Sequence, residues 1–264
     1  MKYSFIIQYF KHRKNIIKIT ESLINIEQCE VIFHNDSNSD HDIFNELISK
    51  YSNFKVICSD DIHEIRGYNK CIKECKGEYI FICQDDDIIN SIEFINNAQK
   101  LFNKYSFVGI VSFYKGGIYD WGLESEMYKK IDNDKINYSV DNLNCQFVLW
   151  CNIGPFMIRK SVIDKIGVFD LDYSEVGELG IGFDSEYTFR ANLHNYRVML
   201  LECNDIKRGV GGKGTMATKE KKIQRANRKV KNRKIFRKQY SHLVNNEINN
   251  INSLNSKYLN INNI

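Results

Sequence analysis

The stretch RGYNKCIKECKGEYIFICQDDD, residues 66–87, decides the fold. Its first half, with Ile65 before it, places Ile65, Tyr68, Ile72 and Cys75 at helical spacing, and Gly77 is expected to close that helix as a left-handed cap. Its second half, Tyr79 to Cys83, is a continuous apolar run of strand length. A strand apolar on both faces, entered directly from a helix, belongs to a parallel sheet covered by helices. The run ends in Gln84, Asp85, Asp86 and Asp87. Ligands of open α/β sheets bind beyond the carboxyl ends of the strands, where these carboxylates fall.

Working outward, the same unit repeats toward the start of the chain. Apolar, β-branched runs at Tyr3–Gln8, Glu30–Phe33 and Phe54–Ile57 alternate with helical patterns at Ile16, Ile19, Leu23 and Ile26, then Phe44, Leu47, Ile48 and Tyr51. The spacing predicts βαβαβαβ, and the loop Asn35, Asp36, Ser37, Asn38 after the second strand meets the Asp cluster at one sheet edge. After Phe107 the rhythm changes. A strand to Phe113 leads into an irregular stretch, 114–144, and an apolar run from Cys145 to Ile158. Helices are expected at Ser161–Ile166 and, beyond the turn Gly177–Gly182, at Asp184–Leu193.

Composition agrees with a packed domain: 264 residues, 43% hydrophobic, with Pro155 as the single proline. No apolar stretch approaches the roughly 20 residues of a membrane span, and the start lacks the apolar core and cleavage site of a signal peptide. The eight cysteines form no C-x-x-C pair. They read as reduced core thiols, Cys71 and Cys75 included, which together with the missing leader predicts a soluble cytoplasmic protein. His34 and His63, with no spaced partner, read as surface or loop residues, and Tyr119, Trp121 and Trp150 as core.

Charge is unevenly distributed. Residues 219–238 carry eleven Lys or Arg against one acid, Glu220, while the rest of the chain holds 26 basic and 32 acidic residues. Ile223, Ala226, Val230, Phe236, Tyr240 and Leu243 predict that this segment is a helix packing one apolar stripe on the body. Its charged face would be solvated, or would meet an anionic membrane surface, a diphosphate-linked acceptor or nucleic acid. From Asn245 the chain is Asn-rich and expected to be poorly ordered.

Three adjacent carboxylates at a strand end repel one another unless a cation neutralises them. Oxygen-only ligation suits Mg²⁺ or Mn²⁺, with substrate phosphates completing the shell. Asp184, isolated at a helix start, is placed either to cap that helix or to take a proton. A glycoside hydrolase would need two carboxyls flanking the bond, whereas one cluster plus one isolated Asp suits transfer from a nucleoside diphosphate.

The chain resembles the family 2 glycosyltransferases of the GT-A fold. The blocks that carry the resemblance are SFIIQYF (4–10), EVIFHNDSNSD (30–40), the opening stretch 66–87, GPFMIRKSVIDKIGVFD (154–170) and GFDSEYTFRANLHNYRV (182–198). The resemblance implies a doubly wound, mixed, mostly parallel α/β sheet over 1–215, nucleotide-binding in 1–105 and acceptor-binding in 106–215. A basic helical extension (216–244) and the Asn-rich tail (245–264) would follow. It implies a nucleotide-diphosphate sugar donor, a hydroxyl acceptor such as a glycan, and Mn²⁺ or Mg²⁺. Gln8 and Phe10 would contact the base, Asp36 would accept its imide hydrogen, and Arg66 and Asn69 would border the donor. Asp86 would ligate the metal, Asp85 would reach the ribose or a metal-bound water, and Asp87 would share that role. Asp184 would be the catalytic base, with Glu186 the next acid along. The sequence departs from the family pattern at Gln8, where proline is usual, at Gln84 in the first place of the DxD, and at Phe183 before the base. It also has no histidine between Asn204 and Gly212. A nucleotidyltransferase on a similar sheet, whose glycine-rich opening loop is missing here, a noncatalytic nucleotide- or sugar-binding relative and a nucleic-acid binder are the competing readings. The glycine-flanked Lys213 is a candidate lid.

Overall fold

The computed structural model describes residues 1–123, 130–132, 134–208 and 218–262. The first half comprises β1 (Tyr3–Tyr9), α1 (Arg13–Leu23), β2 (Cys29–Asn35), α2 (His41–Lys50), β3 (Phe54–Cys58), α3 (His63–Glu74), β4 (Tyr79–Gln84), β5 (Asp87–Ile89) and α4 (Glu93–Lys104). Strands β6 (Val108–Ser112), β7 (Lys115–Gly117), β8 (Ile131–Asp132), β9 (Tyr138–Val140), β10 (Leu143–Val148), β11 (Trp150–Cys151) and β12 (Phe156–Arg159) follow. The chain continues through α5 (Lys160–Ile166), α6 (Phe183–Leu193), β13 (Arg197–Leu201), β14 (Ile206–Arg208), α7 (Lys219–Tyr258) and β15 (Asn260–Ile261).

Ten strands form one sheet in the order β15-β9-β10-β13-β6-β12-β4-β1-β2-β3. The β4-β1-β2-β3 half is wholly parallel, as the βαβ repeats require. Strand β12 then enters antiparallel between β4 and β6, with Phe156 opposite Ile82. Residues 152–155, which lead into β12, therefore lie at the carboxyl end of β4, beside the Asp cluster. Beyond β6 the parallel partner is β13. The core is continuous across both halves, with the rings of Phe5 and Phe81 stacked at 4.1 Å on adjacent strands. No described helix is long and apolar enough to cross a membrane.

Two expectations about local structure are corrected. Helix α3 ends at Glu74, and Gly77 is not left-handed. Its role is close approach: a Cβ there would stand 2.6 Å from the Ser4 backbone nitrogen. The second concerns the chain after residue 218. Helix α7 runs unbroken for 40 residues, through the supposed boundary at 244 and the supposedly disordered Asn-rich tail, and β15 then pairs with β9. The apolar stripe read from sequence holds in its second half, where Phe236, Tyr240 and Leu243 pack on the core, but not in its first, where Ala226 is exposed. Ile223 and Val230 are exposed, and Arg228, Asn232, Phe236, Val244, Ile251 and Asn255 face the body.

Asparagine works in that stripe because its amide can match the backbone. The Asn255 side chain donates to the Phe147 carbonyl (3.0 Å) and accepts from the Phe147 N–H (2.8 Å), docking α7 on β10. Asn255→Ala leaves both backbone groups buried and unpaired, at about 1–3 kcal/mol each. The expected result is a lower urea midpoint with an unchanged slope. A wild-type midpoint would show that the end of α7 contributes nothing to the fold.

Candidate active site

The carboxyl ends of the parallel strands are tied together by carboxylates bonded to backbone N–H groups. The Asp85 carboxylate accepts from the Phe10 N–H (2.7 Å) and lies 2.9 Å from His12 Nδ1. Its backbone carbonyl accepts from Asn15 Nδ2 (2.8 Å). The β1–α1 loop is thus wrapped on the start of the Asp cluster. Asp36, almost wholly buried, accepts from the Ile62 and His63 N–H groups (2.9 and 2.8 Å), holding the first turn of α3, and from Gln8 Nε2 (3.2 Å). Burial pushes its carboxyl above the usual range, opposed by the two backbone donors.

His34, read from sequence as a surface or loop residue, is completely buried on β2. Its Nδ1 pairs with Gln8 Oε1 at 2.7 Å, and its Nε2 with Ser59 Oγ at 2.9 Å, where Lys70 also donates. Since Gln8 Oε1 can only accept, Nδ1 carries the proton and Ser59 donates to Nε2. A polar chain Lys70–Ser59–His34–Gln8–Asp36 therefore underlies the pocket. Gly67 makes room for it, since a Cβ there would stand 2.2 Å from His34 Nδ1. The ring of Phe10 is half-buried, with the ammonium groups of Lys11 and Lys221 at 5.1 and 5.8 Å from its centroid.

Asp87 is buried and accepts from the Gln84 N–H (2.8 Å), folding the turn back on itself, while Asp86 is half-exposed. Strand β14 pairs antiparallel with β5, setting Arg208 opposite Asp87 and Lys207 opposite Ile88. Asp205 caps α4 through the Phe94 N–H (3.0 Å). Among the described residues no three His, Cys, Asp or Glu side chains form a metal cage. The oxygen donors of the turn suit a hard cation that arrives with phosphate ligands rather than one held by protein alone. Lys213 lies outside the described residues.

Asp184 sits at the second position of α6, whose N-cap is the left-handed Gly182, so the capping role is Gly182's. The Asp184 carboxylate accepts from Ile153 N–H (3.0 Å), Asn152 Nδ2 (3.2 Å) and Ser185 N–H (2.8 Å). These contacts fix it against the segment at the carboxyl end of β4. Gly182 is irreplaceable on two counts: its φ is +78°, and a Cβ would lie 2.0 Å from the ring of Trp121. Trp121 and Trp150 are core residues, as expected. Glu186 is fully buried, paired with Arg190 Nε (2.7 Å) and accepting from Tyr240 (2.8 Å).

Of the two α3 residues expected to border the donor, Asn69 spends its amide on Phe169, donating to its carbonyl (2.8 Å) and accepting from its N–H (3.0 Å). It is a clip between α3 and the 168–170 segment. Arg66 donates to the Ser174 carbonyl (2.6 Å). Sequence reading also missed Asn232 of α7, whose amide nitrogen donates to the carbonyls of Tyr173 and Ile181 (2.8 and 2.7 Å). Arg228 pairs with Glu178, and Lys231 with Glu175 (2.7 Å), so α7 clasps both ends of the turn that leads to Gly182 and Asp184.

Burial, with Lys70 behind it, holds His34 down to about 4, against about 6.5 in an unfolded chain. Between those values the unfolded chain binds the extra proton. Stability from this group is therefore complete above about pH 6.5 and is lost as pH falls toward 4, by about 3 kcal/mol at most. His34→Gln should flatten that part of the slope in urea midpoints at pH 4.5 and 7. An unchanged slope would mean that His34 takes up its proton without cost.

The model of the family described as "Glycosyl transferase family 2" matches residues 4–167. No curated protein sequence matches the chain significantly. Among solved structures, the 1–349 fragment of S. aureus TarS has a TM-score of 0.55 at 19% identity. That match covers 78% of this chain and 59% of the fragment, so the chain spans under two thirds of that length. The mannosyltransferase PcManGT from Pyrobaculum calidifontis, in complex with GDP-Man and Mn²⁺, has a TM-score of 0.60 at 11% identity, covering 97% of this chain and 75% of that one. GalNAc-T7, with UDP, GalNAc and Mn²⁺, gives 0.64 at 13%, covering 81% and 44%. At these identities the likeness is one of fold, and it is the GT-A fold. With its matched segment running from β1 into the turn after α5, the chain belongs to glycosyltransferase family 2.

Proposed function

We propose that the chain moves a sugar from a nucleoside-diphosphate donor to an acceptor hydroxyl with inversion, and that Asp184 is the general base. The observation that carries this reading is the position of the Asp184 carboxylate. It is bonded to Asn152 and Ile153, at the carboxyl end of the strand that ends in the Asp cluster. Donor and base sites thus share one edge. Asp184 Oδ1 accepts one hydrogen bond, from Ser185, and keeps a second lone pair for an acceptor hydroxyl. Glu186 is a poorer base because Arg190 and Tyr240 occupy it in the interior.

In this reading the base stacks on Phe10, within the field of Lys11 and Lys221. Gln8, oriented by His34, and Asp36 line its edge, and Asp36 Oδ1 keeps an acceptor position for an imide hydrogen. Asp85 holds the β1–α1 loop against the ribose, and Arg66 fixes the loop at Ser174 on the donor's far side. Asp86, with Asp85 and Asp87 beside it, would hold Mn²⁺ or Mg²⁺, which when bound offsets negative charge on the departing diphosphate. The hydroxyl oxygen attacks the anomeric carbon, and its proton passes to Asp184. The bond from that carbon to the diphosphate breaks, its electron pair leaving with the diphosphate. The eight unbridged cysteines, seven of them buried, suit the reducing cytoplasm.

Asp184→Asn preserves size and the backbone contacts, so donor affinity should hold while transfer, or slow donor hydrolysis if no acceptor is known, falls roughly 10²–10⁴-fold. Activity within threefold of wild type removes Asp184 as base. Asp86→Ala should weaken Mn²⁺-dependent binding of free UDP or GDP in calorimetry, with the melting temperature unchanged. Equal affinities with and without the substitution would remove the metal assignment.

A further inference from the structure

The first turns of α7 bury Arg228, Asn232 and Phe236 against the body. At 100° per residue, Ile223, Ala226 and Val230 fall on the opposite side, and all three are exposed. Ile223 and Val230 are the two large apolar side chains that α7 leaves in water, 52% and 45% exposed. They stand two turns apart, about 10 Å along the helix, so they form one line rather than two scattered contacts. Single apolar residues on a surface are ordinary, but a line of them at the centre of a charged face is not.

Cations bracket this line at both ends. Lys219 and Lys222 stand before it, and Lys234, Arg237 and Lys238 after it, all five exposed. None of the five forms a salt bridge among the described residues, and Glu220 is the one acid between 219 and 246. The acids that do reach this part of α7 are taken by other cations, Glu178 by Arg228 and Glu175 by Lys231. Those two pairs hold the turn carrying Val176, 71% exposed, alongside the helix. The outward side thus offers apolar side chains within a field of positive charge.

We propose that the outward face of α7 docks on an anionic lipid surface. Ile223 and Val230 enter the boundary between headgroups and acyl chains, and the surrounding lysines and Arg237 meet the lipid phosphates and carboxylates. The long stems of those cations let the charge stay at headgroup level while the helix axis comes close. A nucleic-acid backbone would take the cations but offers no apolar surface to Ile223 and Val230. A face that is only solvated has no use for them at all. A lipid interface accepts both parts of the pattern, and this binding is independent of sugar transfer.

The test is co-sedimentation of the full chain, without nucleotide, with vesicles of phosphatidylcholine alone or of phosphatidylcholine and phosphatidylserine at three to one. The chain should sediment with the anionic vesicles, less so as salt rises, and stay in solution with the neutral ones. Ile223→Ser/Val230→Ser keeps every charge and should weaken binding to the anionic vesicles at least threefold. Lys234→Glu/Lys238→Glu should weaken it at least tenfold. Lys18→Glu/Lys73→Glu, the same charge change at exposed positions of α1 and α3, should cost less than twofold. Every altered side chain is exposed, so each variant should melt as wild type does. Binding of free UDP or GDP with Mn²⁺, measured beside it, should be unchanged in all three, which keeps a failure of docking separate from a failure of the transferase reading. No binding to the anionic vesicles overturns the proposal, and a duplex DNA complex formed instead would make the face a nucleic-acid surface. Wild-type binding by the serine variant, or an equal loss in the α1 and α3 variant, overturns it as well.

Discussion

The loops and helix starts at the carboxyl edge of the parallel strands carry backbone N–H groups that no strand receives, and in this protein carboxylates receive several of them. Asp85 takes the N–H of Phe10, Asp36 those of Ile62 and His63, Asp87 that of Gln84, and Asp184 those of Ile153 and Ser185. A buried N–H without a partner costs about as much as a lost hydrogen bond, so these loops cannot move independently of the acids that hold them. The residues that would do chemistry are therefore also the residues that set the loop conformations. Such acids are costly to exchange even where the reaction does not need them, which is why the tests on Asp184 and Asp86 include a measure of binding or folding beside activity.

The second half of the site depends on a helix remote in sequence. Glu186, Arg190 and Tyr240 form a buried ionic knot at which α6 and α7 meet, and Arg190 also donates to the carbonyls of Ile166 and Val168. Removing one member of such a knot leaves an uncompensated buried charge, which costs more than the intact set contributes. Asn232 adds a neutral clasp on the preceding turn. Long-range polar contacts, more than apolar area, set the geometry around Asp184.

Much of the first half was legible because its signals are local. Periodicities of 2 and 3.6 residues, read over windows of ten, are enough to place β1 to β4 and the helices between them. The insertion of β12 between β4 and β6 was not legible, since strand order depends on contacts some 75 residues apart and leaves no local mark. The phase of the first turns of α7 was misread for a definite reason: the buried ridge there carries Arg228 and Asn232, which a hydrophobicity pattern assigns to solvent, while Phe236, Tyr240 and Leu243 pack as read. His34 was recoverable in principle, since one polar ring in the middle of a doubly buried strand must find partners, and Gln8 stands opposite it in register.

The clasp between Asn232 and Ile181 joins residues 51 apart in the chain, and that between Asn255 and Phe147 joins residues 108 apart. At a synthesis rate of about 5–20 residues per second, the turn before Asp184 emerges some 3–10 s ahead of the amide that holds it. The parallel half, complete by residue 104, has no such wait. A nascent chain therefore passes through a stage at which the β1–β4 layer can assemble while β10 still lacks its helical cover. Proteases and chaperones would meet that stage at β10 and the 173–182 turn, and its duration is set by translation speed rather than by any property of the finished protein.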